Sequence, residues 1–226
     1  MSVPETTKDF HHAYVVSGTE ALPALRILEQ RGIVRVGNPD VVVWNRETLG
    51  VEDARALVHR ALVHPTESSV QYFVVTCAAI TREAQNALLK VLEEPTGSSV
   101  FFFVLPYPDM LLETLKSRVH IIYEHEHIKA RASVLDPVAF LSAAPAARLK
   151  MLSCLLPKKG EERDMRAVLG FLHALEMLMN TVPKTSDMLR GLRALYNAKL
   201  YITDRGASLK ILLEYVALLV PQVSAR

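Results

Sequence analysis

Gly18 stands where a phosphate-binding loop could begin, because it follows a short apolar run, Ala13–Val16, that predicts a buried strand. Such a loop needs the pattern G-x-x-x-x-G-K-[ST]. Its backbone N–H groups surround the phosphates, its lysine neutralises them and its hydroxyl holds Mg²⁺. Counted from Gly18, the last three positions hold Pro23, Ala24 and Leu25. Proline has no N–H, alanine has no charge and leucine cannot ligate a hard cation, so the pattern argues against nucleotide chemistry at this loop.

The segment Glu124–His127 is the other place where side-chain types suggest chemistry. His125 and His127 would share one face of an extended chain. Two ligands do not close a metal site, so the sequence favours a solvated linker here and predicts no bound metal. Elsewhere the serine, cysteine, histidine and aspartate residues do not have the arrangement of a nucleophilic site.

The composition describes a folded protein with nearly balanced charge. Of the 226 residues 50% are apolar, and the formal net charge is +2. Neither disorder nor a strong field for nucleic acids or membranes is therefore expected. Cys77 and Cys154 lie far apart, which suits a reducing cytoplasm. Met1–Phe10 lacks signal-peptide character, and the longest apolar stretch, Leu209–Val220, is too short to span a bilayer, so the expected location is the cytoplasm.

The first half of the chain alternates strand patterns with helix patterns. Apolar or β-branched runs predict the strands, and apolar residues at helical spacing predict the helices between them. The predicted strands are 13–16, 41–44, 72–75, 100–105 and 119–123, and the predicted helices are 22–31, 51–63 and 81–94. This alternation predicts an α/β fold with a parallel sheet flanked by helices.

The second half of the chain predicts helices only. Helical patterns cover 136–143, 146–156, 161–180, 185–203 and 207–220, with prolines at their starts or breaks. The charged segment between the two halves predicts a linker. We therefore expect an α/β domain over 1–125, a linker over 126–135 and an all-α domain over 136–226.

Four stretches of the sequence together resemble a known family. They are HAYVVSG at 12–18, EAQNALLKVLEEP at 83–95, LLETLKSRV at 111–119 and DRGASLK at 204–210. These stretches resemble the bacterial DNA polymerase III clamp-loader subunits of the AAA+ superfamily, and among them the delta-prime type. The resemblance implies a degenerate AAA+, P-loop-like core followed by a collar-like helical domain. It also implies a role in loading the sliding clamp during DNA replication.

The resemblance indicates which catalytic parts are missing. The family's pair of carboxylates would fall near Val75 and Thr76, neither of which can hold Mg²⁺ or activate water. The family's helical lid is missing or vestigial, since only a short segment separates the two predicted domains. The degenerate nucleotide site then consists of Gly18, Pro23, Ala24, Leu25, Val75 and Thr76. We expect no cofactor and no ATPase activity in cis.

One motif of the family has a counterpart in this sequence. In the family, the arginine of a Ser-Arg-Cys motif reaches into the ATP site of a neighbouring subunit. Ser117 and Arg118 match this motif here, while Val119 replaces the cysteine. The resemblance implies that Arg118 acts as an arginine finger in trans and stabilises charge on the γ-phosphate. The alternative is a surface arginine or an internal salt bridge.

The last predicted helix carries two apolar stripes. One stripe is formed by Leu209, Leu212, Leu213, Val216 and Val220, and the other by Ile211, Tyr215 and Leu218. A helix that is apolar on two sides is either buried centrally or shared between its own domain and a partner. The resemblance to collar helices favours the shared arrangement. The residues expected to bind a partner are Leu209, Leu212, Leu213, Tyr215 and Val216.

Three functions are weighed on these grounds. The first is a non-catalytic structural and regulatory clamp-loader subunit. Its partners are an ATP-bearing neighbour and the other collar subunits, with at most indirect contact with DNA and none with a membrane. The second is a free-standing adaptor or DNA-binding protein derived from the same fold. The third is an active AAA+ ATPase, against which Pro23, Ala24 and Leu25 argue.

Overall fold

The chain forms two compact units, Met1–His127 and Ile128–Arg226, and each is described by itself. The computed structural model describes residues 10–94, 98–123, 134–158, 160–161, 163–204 and 206–223. Most of the predicted linker, 126–135, and the whole segment Glu124–His127 lie outside these residues. The predicted domain bounds therefore stay predictions.

The first unit is a parallel sheet with helices on both faces. Its strands are β1 (Ala13–Ser17), β2 (Val41–Leu49), β3 (Gln71–Ile80), β4 (Ser99–Leu105) and β5 (His120–Ile122), and its helices are α1 (Leu22–Glu29), α2 (Val51–Ala61), α3 (Arg82–Glu93) and α4 (Glu113–Lys116). The five strands lie in the order β2-β3-β4-β1-β5, and all neighbours pair in parallel. The predicted α/β class is confirmed.

Both faces of this sheet are covered, which is why its central strands are almost continuous apolar runs. The consecutive phenylalanines of β4 show how the two cores share one strand. Phe101 and Phe103 belong to the core beneath α2, α3 and α4, whereas Phe102 belongs to the core beneath α1. The Phe102 ring stacks on the Tyr14 ring of β1, with 4.9 Å between their centroids. Side chains therefore alternate between two packed layers along β4.

Helix α3 is fixed at its start by the predicted cap. The Thr81 hydroxyl oxygen accepts a hydrogen bond from the Ala84 N–H over 3.1 Å, which satisfies one of the first helical amides. Leu88 and Leu92 are buried against the sheet. Because α3 joins the end of β3 to the start of β4, it runs from the carboxyl edge of the sheet to the amino edge. Its last residue, Glu93, therefore lies at the amino edge.

The second unit consists of helices, as the sequence predicts. They are α5 (Pro137–Ser142), α6 (Pro145–Met151), α7 (Met165–Asn180), α8 (Ser186–Tyr201) and α9 (Leu209–Leu219), with a short 3-10 turn at Leu152–Leu155. Phe140 of α5 and Phe171 of α7 meet edge to face, 5.0 Å apart between centroids, in the core of the unit. The all-α prediction for the C-terminal part is confirmed.

A buried arginine joins two helix ends in this unit. Arg148 of α6 is fully buried and donates hydrogen bonds to backbone carbonyls at the C-terminal ends of α5 and α9. The accepting residues are Phe140, Leu141, Ala217, Val220 and Pro221. The last carbonyls of a helix have no partner within the helix, and here a side chain supplies one. Arg148 therefore fixes α9 relative to α5.

Within the described ranges, no helix has both the length and the hydropathy that crossing a bilayer requires. Nor does this part of the chain bring together three or more His, Cys, Asp or Glu side chains that could hold a metal ion.

Candidate functional site

The residues singled out in the sequence lie at two opposite edges of the parallel sheet. Gly18 follows β1 at the carboxyl edge, where its N–H donates a 2.8 Å hydrogen bond to the Leu105 carbonyl at the end of β4. Arg118 precedes β5 at the amino edge, where His120 pairs with Tyr14 near the start of β1. A strand of this length separates the edges by about 15 Å. The predicted degenerate nucleotide site and Arg118 therefore lie in different surroundings.

The phosphate-loop positions are filled with packed apolar groups. Pro23 and Ala24 are buried residues of α1, and Leu25 packs partly against the core beneath that helix. A methyl group added to Gly18 would come 3.4 Å from a Val104 methyl and 3.9 Å from the Pro23 ring. The first turn of α1 thus presents a proline ring to the loop where a phosphate loop presents N–H groups and a lysine.

The structure corrects the placement of Val75 and Thr76. The third strand was predicted to end at Val75, so the two residues were expected at its carboxyl end, but β3 continues to Ile80. Both residues are buried inside the sheet, where Val75 lies between Trp44 of β2 and Phe103 of β4. The Thr76 hydroxyl finds no hydrogen-bond partner among the described residues. Neither position is open to a metal ion or water.

Gln85 is a buried polar residue that the sequence interpretation missed. Its side-chain amide donates a 3.0 Å hydrogen bond to the Ile80 carbonyl at the end of β3. Its side-chain oxygen accepts a 2.7 Å hydrogen bond from the Leu112 N–H, just before α4. The spacing to Leu88 and Leu92, three and seven residues on, places Gln85 on the buried side of α3 and could have revealed it. Gln85 thereby ties the start of α4 to the carboxyl end of β3.

Arg118 is engaged by its own unit. Its Nη2 lies 2.6 Å from Oε1 of Glu93 at the end of α3. Its Nη1 donates to the Thr114 carbonyl over 2.6 Å and to the Ser117 hydroxyl oxygen over 2.9 Å. The side chains of Arg118 and Glu93 are 32% and 46% exposed, so solvent reaches the pair. The internal salt bridge, which was the alternative interpretation of Arg118, is present in this chain.

His11 and His12 lie near the amino edge of the sheet, directly before β1. Their rings are 4.1 Å apart between centroids. Burial, together with the nearby His11 ring, lowers the pKa of His12 below its usual value of 6.5. A histidine with a lowered pKa is neutral at pH 7, so His12 adds no positive charge at this edge.

Of the two apolar stripes of α9, one is largely buried and the other is exposed to solvent. Leu209, Leu213 and Val216 are buried within the helical unit, so the prediction that they bind a partner is wrong for the folded chain. Leu212 is half-buried, and Tyr215 is 42% exposed. The exposed stripe is the one that the sequence placed second: Ile211, Tyr215 and Leu218. The first stripe was misassigned because both have helical spacing and only packing decides which one is covered.

Comparison with known proteins shows which protein family part of this chain resembles. Residues 26–126 match the family described as DNA polymerase III, delta subunit. Over this range the chain is similar to DNA polymerase III clamp-loader subunits. The matched range runs from the middle of α1 to just past β5, and so includes the Glu93–Arg118 pair.

Two DNA polymerase III subunits are similar to part of this chain. The DNA polymerase III gamma/tau subunit of Mycobacterium tuberculosis (strain H37Rv) is 40% identical over 86 residues, which are 37% of this chain and 15% of that protein. The delta' subunit of Escherichia coli (strain K12) is 39% identical over 79 residues, which are 34% of this chain and 24% of that protein. The chain thus spans less than a quarter of the length of either relative.

Two solved structures in this group align along most of the chain. A DNA polymerase III gamma-subunit-related protein from Thermotoga maritima is 14% identical, with a TM-score of 0.46, over 94% of this chain and 95% of that one. The DNA clamp loader delta protein of Bacillus subtilis is 9% identical, with a TM-score of 0.36, over 94% of this chain and 96% of that one.

Proposed function

We propose that the chain is a non-catalytic clamp-loader subunit of the delta-prime type, a structural and regulatory part of sliding-clamp loading in DNA replication. The observation that carries the proposal is the contrast between the two edges of its sheet. Pro23 and Ala24 fill the carboxyl edge with buried apolar groups. At the amino edge, the Arg118 guanidinium is partly exposed. Such a subunit cannot bind ATP in cis but can act on ATP held by a neighbour.

Arg118 is the residue that acts on the neighbour in this proposal. Phosphoryl transfer depends mainly on positioning and on stabilising the charge that develops on the transferred group. A guanidinium is always charged and offers a planar set of donors that matches phosphate oxygens. Arg118 supplies this group in trans, with Ser117 fixing its side chain from the end of α4. Any contact with DNA is indirect.

The helical unit provides a second interface in the same proposal. Ile211, Tyr215 and Leu218 are 66%, 42% and 58% exposed and follow one another along α9 at helical spacing. An exposed apolar stripe of this kind marks a surface that binds another protein. Its occupants are the collar helices of the other subunits, and the complex works in the cytoplasm.

The role of Arg118 is tested in the assembled complex. We expect Arg118→Ala to fold normally and to lower ATP turnover at the neighbouring site by at least ~10-fold, because a finger arginine contributes several orders of magnitude to such reactions. Steady-state ATP hydrolysis by the complex, reconstituted with either chain, measures the effect. Arg55→Ala is the control, since Arg55 is an exposed arginine that pairs only locally with Glu52. Equal rates for wild type and Arg118→Ala would sink the finger role.

The free-standing adaptor is separated from this proposal by capture from native lysate. A tagged chain should recover DNA polymerase III subunits identified by mass spectrometry. The same chain carrying Ile211→Glu and Leu218→Glu should recover fewer, whereas Lys210→Glu on the charged side of α9 should behave as wild type. A stable monomer that recovers none of these subunits contradicts the proposal and favours the adaptor.

A further inference from the structure

We propose that Glu93 is a positioning residue that holds Arg118 folded back on its own subunit until a triphosphate in the neighbouring site displaces it. This inference rests on the proposed function of Arg118. It concerns a different residue on a different element, because Glu93 ends α3 whereas Arg118 follows α4. The pair joins the two helices at the amino edge of the sheet.

The hydrogen bonds of Arg118 show that the guanidinium is occupied in this position. A guanidinium has five N–H donors. Both donors of Nη1 are used, one by the Thr114 carbonyl and one by the Ser117 hydroxyl oxygen. One donor of Nη2 is directed to Glu93. The Nε–H is buried and has no hydrogen-bond partner among the described residues.

In this conformer, Arg118 cannot bind a phosphate through two hydrogen bonds. Arginine binds phosphate best through two parallel N–H groups on one edge of the guanidinium. One such edge is formed by Nη1 and Nη2, and the other by Nη2 and Nε. On the first edge both Nη1 donors are taken and Nη2 lies 2.6 Å from Glu93, and on the second edge the Nε–H is buried. Arg118 must therefore leave this position beside Glu93 before it can bind a γ-phosphate with two hydrogen bonds.

Separating Arg118 from Glu93 also costs little free energy. The pair is half-exposed, and ion pairs of this kind contribute little because water screens them. Glu93 is the last residue of α3, where the helix dipole disfavours a negative charge. The buried Nε–H without an acceptor further penalises this conformer. These three features make the pair weak enough for a multiply charged triphosphate to replace the single carboxylate.

Removing the Glu93 charge should make Arg118 more available. In the wild type, part of the binding free energy of the neighbour's ATP is spent on separating Arg118 from Glu93. Glu93→Gln removes that competition for ground state and transition state alike, so it should lower KM for ATP without changing kcat. The strength of exposed ion pairs limits the effect to a roughly two- to five-fold decrease in KM. The decrease should shrink at high salt, which already screens the pair.

The test uses the reconstituted complex with ATP as the ligand. We would measure kcat and KM for wild type, Glu93→Gln, Arg118→Ala and the double variant. Glu94→Gln is the matched control, because Glu94 is the exposed neighbour of Glu93 and has the same charge. Glu93→Asp keeps the charge on a shorter side chain and should give an intermediate KM. Thermal unfolding of each chain checks that the variants fold.

The outcomes separate the inference from the function on which it rests. A lower KM in Glu93→Gln, unchanged kcat, no effect of Glu94→Gln and loss of the KM effect in the double variant would support the inference. If Arg118→Ala lowers turnover but Glu93→Gln matches Glu94→Gln, the finger role stands and the inference is wrong. A raised KM or a lower kcat in Glu93→Gln also overturns it, because Glu93 would then orient Arg118 productively. If Arg118→Ala has no effect, both ideas are wrong.

Discussion

Asp40 is a buried carboxylate held by amides of the segment between α2 and β3. It accepts hydrogen bonds from the N–H groups of Thr66, Glu67 and Ser68 over 2.7–2.8 Å and from the Ser68 hydroxyl over 3.0 Å. Burial by itself would raise the pKa of Asp40, but these hydrogen bonds outweigh it and lower the pKa from 3.8 to about 2. The ionised form therefore fastens this segment beside the start of β2.

Asp40→Asn should destabilise the α/β unit by roughly 2 kcal/mol at neutral pH, because the amide NH₂ would face N–H donors. A carboxyl with a lowered pKa stabilises the fold above its unfolded pKa of 3.8 and loses that contribution as pH falls through about 2. The difference between wild type and variant should thus shrink over this range. Urea unfolding followed by the fluorescence of the single tryptophan, Trp44 of β2, measures it in this unit.

The control for this prediction is Asp187→Asn, which changes an exposed carboxylate on α8. It should leave the Trp44 transition unchanged. A constant difference between wild type and Asp40→Asn down to pH about 2 would mean that the Asp40 carboxylate does not supply the stability.

Single residues of the site differ in how far the sequence revealed them. Pro23, Ala24 and Leu25 could be judged from type and spacing alone, because a phosphate loop has fixed chemical requirements. Arg118 could be noticed from the motif around it, but its partner could not. Glu93 lies on a different helix, and no local pattern relates it to Arg118, since tertiary packing alone brings the ends of α3 and α4 together.

At the scale of elements, the sequence predicted the strands and the longer helices, missed the short helix α4 and underestimated the lengths of two strands. β2 was expected to end at Trp44 and β3 at Val75, but they continue to Leu49 and Ile80. β2 is an edge strand, so polar residues after Trp44 can face solvent while the backbone still pairs with β3. β3 continues through small residues such as Ala79, where a strand pattern is weak, because Ala79 pairs with Thr48 of β2.

Helices α5 and α9 are joined at their C-terminal ends by Arg148, and this junction gives a prediction. Arg148→Lys should destabilise the helical unit by about 3 kcal/mol, since a single ammonium cannot serve five carbonyls that a planar guanidinium reaches. Loss of far-UV circular dichroism during urea unfolding measures the effect. The Trp44 signal should not change, because that residue lies in the other unit.

Arg190→Lys is the matched control for Arg148, because Arg190 is an exposed arginine of α8 that pairs with Asp187. It should leave the helical transition within about 0.5 kcal/mol of wild type. Equal stability of wild type and Arg148→Lys would show that water can take the place of the guanidinium at these carbonyls.

For the whole molecule, the proposed loss of the phosphate loop predicts that ATP does not change its thermal stability. A protein that binds ATP gains about 2.7 kcal/mol when ATP is present at a hundred times its Kd, and its Tm rises accordingly. The α/β unit should show no such rise with Mg-ATP, because Pro23 and Ala24 are buried apolar residues that supply neither the N–H group nor the lysine of a phosphate loop. Melting followed by Trp44 fluorescence, with calorimetric titration as a second measurement, tests this. A clear increase in Tm would restore the active ATPase as a candidate.

The two unlike edges of the parallel sheet give the molecule a direction. Subunits that each hold ATP at one edge and an arginine at the other can stack head to tail, with every contact of the same kind. A member with a working arginine edge and a sealed nucleotide edge can complete such a row at one end only. Under the proposed function, such a member offers its arginine to one neighbouring subunit and needs no arginine from another. The edge that cannot bind ATP would therefore mark one end of the row of subunits.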